Sequence, residues 1–76
     1  MTRAPRIPGK EVVCALEKAG FIIKRQSGSH VIMCHETDLE RRCVIPVHGS
    51  TIVKPGTLQS ILRGTGLSTE EFRKLL

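Results

Sequence analysis

The apolar residues Val12, Val13, Leu16 and Ala19 recur at helical spacing behind Pro8-Gly9-Lys10-Glu11, and Gly20 follows the last of them. This periodicity predicts a first helix over residues 9–19, closed by a glycine that can turn left-handed, with Lys18 in the last turn where the helix dipole favours a cation. The period then changes. A β-branched and aromatic run starts at Phe21-Ile22-Ile23 and reaches Gln26, Ser27-Gly28-Ser29 interrupts it, and Val31-Ile32-Met33-Cys34 resumes it. Two such runs about a short glycine-containing turn predict a β-hairpin. Polar residues from His35 to Glu40 form the next connection, and Arg42-Cys43-Val44-Ile45-Pro46-Val47 predicts a third strand. Proline cannot donate to a ladder, so this strand is expected at a sheet edge or ending at Pro46.

His48-Gly49-Ser50 reads as a turn, and Lys54-Pro55-Gly56-Thr57 as a helix start with proline near the first helical position. Leu58, Ile61 and Leu62 mark one face of that helix, with Gly64 and Gly66 expected to stop it. Ser68-Thr69-Glu70-Glu71 fits a capping box opening a short last helix whose apolar side is Phe72, Leu75 and Leu76. The fold class is therefore α+β: an αβββα order with a three-stranded antiparallel sheet, helices packed on one face, and a short C-terminal helix. This is the order of double-stranded-RNA-binding domains, which read duplex shape through backbone and 2′-hydroxyl contacts. Order alone does not assign a function.

The 76 residues are read as a single domain over 1–76, with residues 1–7, broken by Pro5, as a flexible N-terminal arm. No apolar stretch follows the arm as in a signal peptide, and none approaches the roughly 20 residues of a membrane span. Three cysteines without a C-x-x-C pair argue for reduced thiols and a cytoplasmic protein instead of a disulfide framework. Twelve Lys and Arg against seven Asp and Glu give a formal charge of +5, which calls for an acidic partner. Nucleic acid fits best, because no basic amphipathic helix with a bulky apolar face points to a membrane surface. With Phe21 and Phe72 as the only Phe, Tyr or Trp residues, a base-stacking platform for single strands is not supported.

Histidine is the side chain suited to moving protons near neutral pH. The chain has three: His30 at the start of the second strand, His35 at its far end and His48 beyond the third. RNA cleavage needs only such groups: a base to take the 2′-OH proton and an acid to protonate the leaving 5′-oxygen. Gly28 lets backbone approach a phosphate, and the Ser29 hydroxyl could contact one or fix the imidazole tautomer, although a hairpin glycine and a turn histidine account for the same residues. His48 carries a substrate-contact reading beside a plain turn reading, and His35 is assigned no role. A zinc site from Cys34, His35, Cys43 and His48 is disfavoured because strand alternation puts Cys34 and His35 on opposite faces, so no metal or cofactor is expected. Lys54, Gly56 and Thr57 are candidate phosphate contacts at a helix N-terminus, with ordinary helix-start chemistry as the alternative.

Gly20-Phe21, Gly28-Ser29-His30, Ile45-Pro46-Val47-His48-Gly49, Lys54-Pro55-Gly56-Thr57-Leu58, Ser60-Ile61-Leu62-Arg63 and Gly66-Leu67-Ser68, in that order, together resemble the HicA (YcfA-like) toxins from about Pro8 to Leu76. The resemblance implies the toxin of a type II toxin-antitoxin system, an endoribonuclease that cleaves mRNA without a metal and is neutralised by a HicB-type antitoxin. The catalytic histidine of the family's GSH motif falls on His30, with Gly28 and Ser29 as supporting residues, and His48 matches a further family position. The alternative is a non-catalytic RNA-binding module of the same fold. Val31-Ile32-Met33-Cys34 is more apolar than in many relatives, which favours a hydrophobic contact surface for an antitoxin or for self-association.

Overall fold

The computed structural model describes residues 4–76. Helix α1 (Gly9–Lys18) is followed by strands β1 (Phe21–Ser27), β2 (His30–His35) and β3 (Arg42–Pro46), then α2 (Pro55–Thr65) and α3 (Thr69–Arg73). The expected αβββα order with a short C-terminal helix is present. Of the arm expected over residues 1–7, residues 1–3 lie outside the described residues. Ala4 and Ile7 pack against the core, the Ile7 carbonyl accepts from the Val53 N–H at 2.9 Å, and Pro8 bridges Ile52.

The sheet is antiparallel in the order β1-β2-β3. Paired residues of antiparallel strands project to the same face, so the register sorts the side chains. Val31 opposite Ile45, and Met33 opposite Cys43, form the inner face, where all four are buried with Phe21 against Val12, Leu16, Leu58 and Ile61 of the helices. The outer face carries Ile22, Cys34 and Arg42, then Arg25, Ile32 and Val44, then Ser27, His30 and Pro46. A bulge between Ile23 and Arg25 skips Lys24 and brings Arg25 onto that outer face. Strict alternation along β1 would have put Lys24 there, and nothing local marks the bulge. Among the described residues no helix covers this side: Ile22 is 44% and Val44 49% exposed.

Two glycines let the helices approach β3 closely. A Cβ on Gly9 would run into the Pro46 carbonyl, and one on Gly64 into the Arg42 carbonyl. Gly64 was expected to end the second helix, but α2 runs through it to Thr65. The terminator is Gly66, at φ 76°, whose N–H reaches the Leu62 carbonyl at 2.9 Å. Gly64 is a contact residue, since only a glycine fits between the helix and the β3 backbone. Gly64→Ala is expected to destabilise the protein by about 1–3 kcal/mol through overpacking, read as a lower urea midpoint with an unchanged slope.

The capping box of α3 is formed on both sides. The Glu71 N–H donates to Ser68 Oγ at 3.0 Å and the Ser68 N–H to Glu71 Oε1 at 2.9 Å. The hydrogen bond from the Ser68 backbone, followed by its side chain, holds the Glu71 carboxyl below its usual range. Phe72 is fully buried, and Lys18 Nζ donates to the Leu75 carbonyl at 3.1 Å, so α3 is fastened to the core and to α1. Arg41 fastens the other side: its Nε donates to the Thr65 carbonyl at 2.7 Å and its guanidinium stands 5.3 Å from the Phe21 ring centroid.

Candidate functional site

The hairpin between β1 and β2 closes with only Gly28 and Ser29 outside the Ser27–His30 pair. Gly28 has φ 58° and among the described residues no non-glycine has a positive φ, which fits a turn whose first central position needs glycine and matches the twist of the strands. Nothing lies within 4 Å of a Cβ placed on Gly28, so the glycine answers to its dihedral and not to crowding. This tight turn sets His30 as the first residue of β2, exposed on the outer sheet face.

β3 continues the geometry one residue further. His30 pairs with Pro46, and the Val47 N–H donates to the Ser29 carbonyl at 2.6 Å, so the hairpin turn is tied to the start of the loop that carries His48. That loop turns back at once: the Thr51 N–H donates to the His48 carbonyl at 2.9 Å, with Gly49 at φ 54° inside the turn. The Pro8–Ile52 bridge then delivers the chain to Lys54, the N-cap of α2.

These segments enclose a cleft of about 280 Å³ lined by Pro46, His48, Thr51, Ile52, Val53, Lys54 and Thr57. Of the residues singled out in the sequence, His48, Lys54 and Thr57 share this cleft. His30, Gly28 and Ser29 lie outside its lining, next to it across the β2–β3 pair. Gly56 sits in the first turn of α2, and among the described residues nothing lies within 4 Å of a Cβ placed on it. Among the described residues no side chain caps that helix, Pro55 has no N–H, and the N–H groups of Gly56 and Thr57 fall among those an α-helix leaves without an internal partner. Thr51 and Ile52 were missed in the sequence, where they stand between two recognisable motifs with no pattern of their own.

The charges divide sharply along the chain. The seven carboxylates are Glu11 and Glu17 on α1, Glu36, Asp38 and Glu40 in the β2–β3 loop, and Glu70 and Glu71 on α3. The hairpin, β3, the cleft and α2 carry none, but hold Lys24, Arg25, Arg42, Lys54 and Arg63 as exposed cations. The stretch of chain that bears His30 and the cleft therefore carries net positive charge, while the carboxylates belong to α1, the β2–β3 loop and α3.

The remaining histidine and the thiols have structural settings. His35 Nδ1 faces the N–H groups of Thr37 and Asp38 at 3.2 and 3.3 Å, and its ring meets Phe21 edge-on at 5.2 Å between centroids. It shapes the β2–β3 loop. Burial, with a smaller contribution from nearby Cys34, pushes the Cys43 thiol up to about 11, so it stays protonated at neutral pH and is a poor nucleophile. Among the described residues no cluster of three or more His, Cys, Asp or Glu could hold a metal ion, and no helix is long and apolar enough to cross a membrane.

Comparison with curated proteins gives no match. A family model described as the HicA toxin of bacterial toxin-antitoxin systems matches residues 9–67, which run from the first residue of α1 past the end of α2.

Proposed function

We propose that the chain, which belongs to the HicA toxin family, acts as a toxin by cutting mRNA in the cytoplasm with His30 as its acid–base group. The observation that carries this reading is the placement of His30: an exposed imidazole, in a stretch of chain free of carboxylates, on the strand paired with one wall of a cleft holding His48, Lys54 and Thr57.

The chemistry uses the RNA's own nucleophile. His30 takes the proton of a 2′-OH as that oxygen bonds to the adjacent phosphorus. The bond from phosphorus to the 5′-oxygen of the next nucleotide breaks, and a water molecule donates a proton to the leaving oxygen. The products are a 2′,3′-cyclic phosphate and a free 5′-OH. Charge develops on the non-bridging phosphate oxygens, where Lys54 and the N–H groups at the start of α2 add electrostatic stabilisation. Gly28 and Ser29 place the phosphate at His30.

Gly56 separates this reading from ordinary helix chemistry. With no described residue within 4 Å of the added Cβ, Gly56→Ala is expected to stabilise the fold by about 0.4–1 kcal/mol by restricting the unfolded chain. The same methyl obstructs a phosphate at that backbone, so RNA affinity falls while the melting temperature rises. A filter-binding assay and a thermal melt on one preparation read both.

The toxin's partner is a HicB-type antitoxin that covers the His30 side. The open sheet face supplies its contact: Ile22, Ile32 and Val44 form an apolar centre, with Arg25, Arg42 and His30 on the same face. A partner with an apolar patch rimmed by carboxylates complements it. The functional test is expression in cells without an antitoxin. The wild-type chain should arrest growth and deplete mRNA, and co-expression of the antitoxin should restore both; arrest with intact mRNA would remove the ribonuclease reading.

A further inference from the structure

We infer that the cleft beside His30 is a subsite for one unpaired RNA base, with the His48 imidazole as its stacking face. The inference rests on the ribonuclease reading and deepens it by naming what the cleft holds.

The lining has the chemistry of a base pocket. Pro46 and Ile52 give apolar walls, Ile52 being 45% exposed with its side chain at the cleft. His48 contributes the single aromatic ring, exposed on its turn. The hydroxyls of Thr51 and Thr57 can donate to or accept from the edge of any base. Unstacked bases are commonly held in this way, between an aromatic or guanidinium plane and hydrogen-bonding groups at the rim. Lys54 in the same lining suits the phosphate that every base brings with it.

Size and place restrict the occupant. A volume of about 280 Å³ lies just below the usual range for small-molecule clefts, which suits one base and not a base pair. The paucity of aromatic residues argues against a platform that stacks a run of bases, but a pocket for one base needs one ring. The cleft also adjoins His30. Pro46, one wall, is the residue paired with His30 on the neighbouring strand, and strands lie about 4.8 Å apart. A base seated against His48 therefore has its sugar and phosphate within reach of the His30 edge, and a base that enters a cleft of this size must first leave its stack and its pair.

His48 is thus a positioning residue and not the second proton donor, and the two roles separate on substitution. The experiment uses the full chain with His30→Ala, so that RNA is bound but not cut, and measures affinity for a short single strand and for the same sequence in duplex by fluorescence anisotropy. The single strand should bind more tightly. Adding His48→Ala should weaken it about 5- to 150-fold, the loss of one base–aromatic stack, and His48→Phe should restore most of the loss. Amide shifts induced by nucleoside 3′-monophosphates should centre on Thr51, Ile52 and Thr57. Equal or tighter duplex binding, an unchanged affinity in His48→Ala, or shifts confined to other parts of the surface would each overturn the inference. Binding is read without cleavage, so an inactive wild type with a responsive cleft would sink only the ribonuclease reading, and an active wild type with a silent cleft only the base subsite.

Discussion

His30→Ala is expected to reduce RNA cleavage by about 10²–10⁴-fold, the span associated with losing one general acid–base group, without loss of stability. His30 is exposed on the outer sheet face, outside the buried cluster that holds the fold together, and the turn before it is built by Gly28 and backbone pairing. Its removal therefore deletes a proton-transfer group and little else. A matched thermal melt is the control. Equal cleavage by the variant, with an equal melting temperature, would move the chemistry to another residue. His48→Ala on the wild-type background is expected to act differently, raising KM more than it lowers kcat, because a stacking contact holds substrate and transition state alike.

Phe72→Ala is expected to have the largest effect on the fold. Phe72 is fully buried and is the one buried residue of α3, so it joins that helix to the core. Truncating a buried phenylalanine costs about 3–5 kcal/mol, while a domain of this length has a total stability on the order of 5 kcal/mol or somewhat more. Much of the chain should then be unfolded at 25 °C, read by far-ultraviolet circular dichroism as a lowered or absent thermal transition. Phe72 lies beyond the stretch matched by the family, so its weight comes from packing. A variant that melted like the wild type would show α3 to be dispensable.

The parts of the fold legible in the sequence are those with local causes. Gly20, at φ 92°, ends α1 through a backbone conformation that its neighbours in sequence demand. The Gly28–Ser29 hairpin and the Ser68–Glu71 capping box likewise depend on residues a few positions apart. Features caused by distant residues were not legible. Gly64 resembles a helix stop until the Arg42 carbonyl is seen against it. The bulge at Lys24 leaves the pattern of β1 intact while moving Arg25 to the outer face. His35, at the edge of a polar run, carried no mark of its ring contact with Phe21.

The candidate site divides the same way. His30, His48 and Lys54 stand out by residue type beside glycine and proline, and so could be singled out before any geometry was known. Thr51 and Ile52 could not, because they enter the cleft only through the turn closed by the His48 carbonyl and the bridge to Pro8. The cysteines show the converse. Three thiols in a small chain invite a metal or redox role, yet Cys34 and Cys43 project to opposite faces of the sheet, and Cys34 Sγ is engaged with the Leu39 carbonyl at 3.4 Å.

The central claim, that His30 drives attack of a 2′-hydroxyl on the adjacent phosphorus, is tested most directly by the chemistry of the cut ends. Single-stranded RNA labelled at its 5′ end is incubated with the purified chain in EDTA, the fragments are identified by mass, and the experiment is repeated with 2′-deoxy sugar at the cleaved nucleotide. The predicted result is fragments ending in a 2′,3′-cyclic phosphate, with the 2′-deoxy substrate left intact. RNA that is bound but never shortened, fragments ending in a 3′-hydroxyl, or cleavage that survives removal of the 2′-OH would contradict the account.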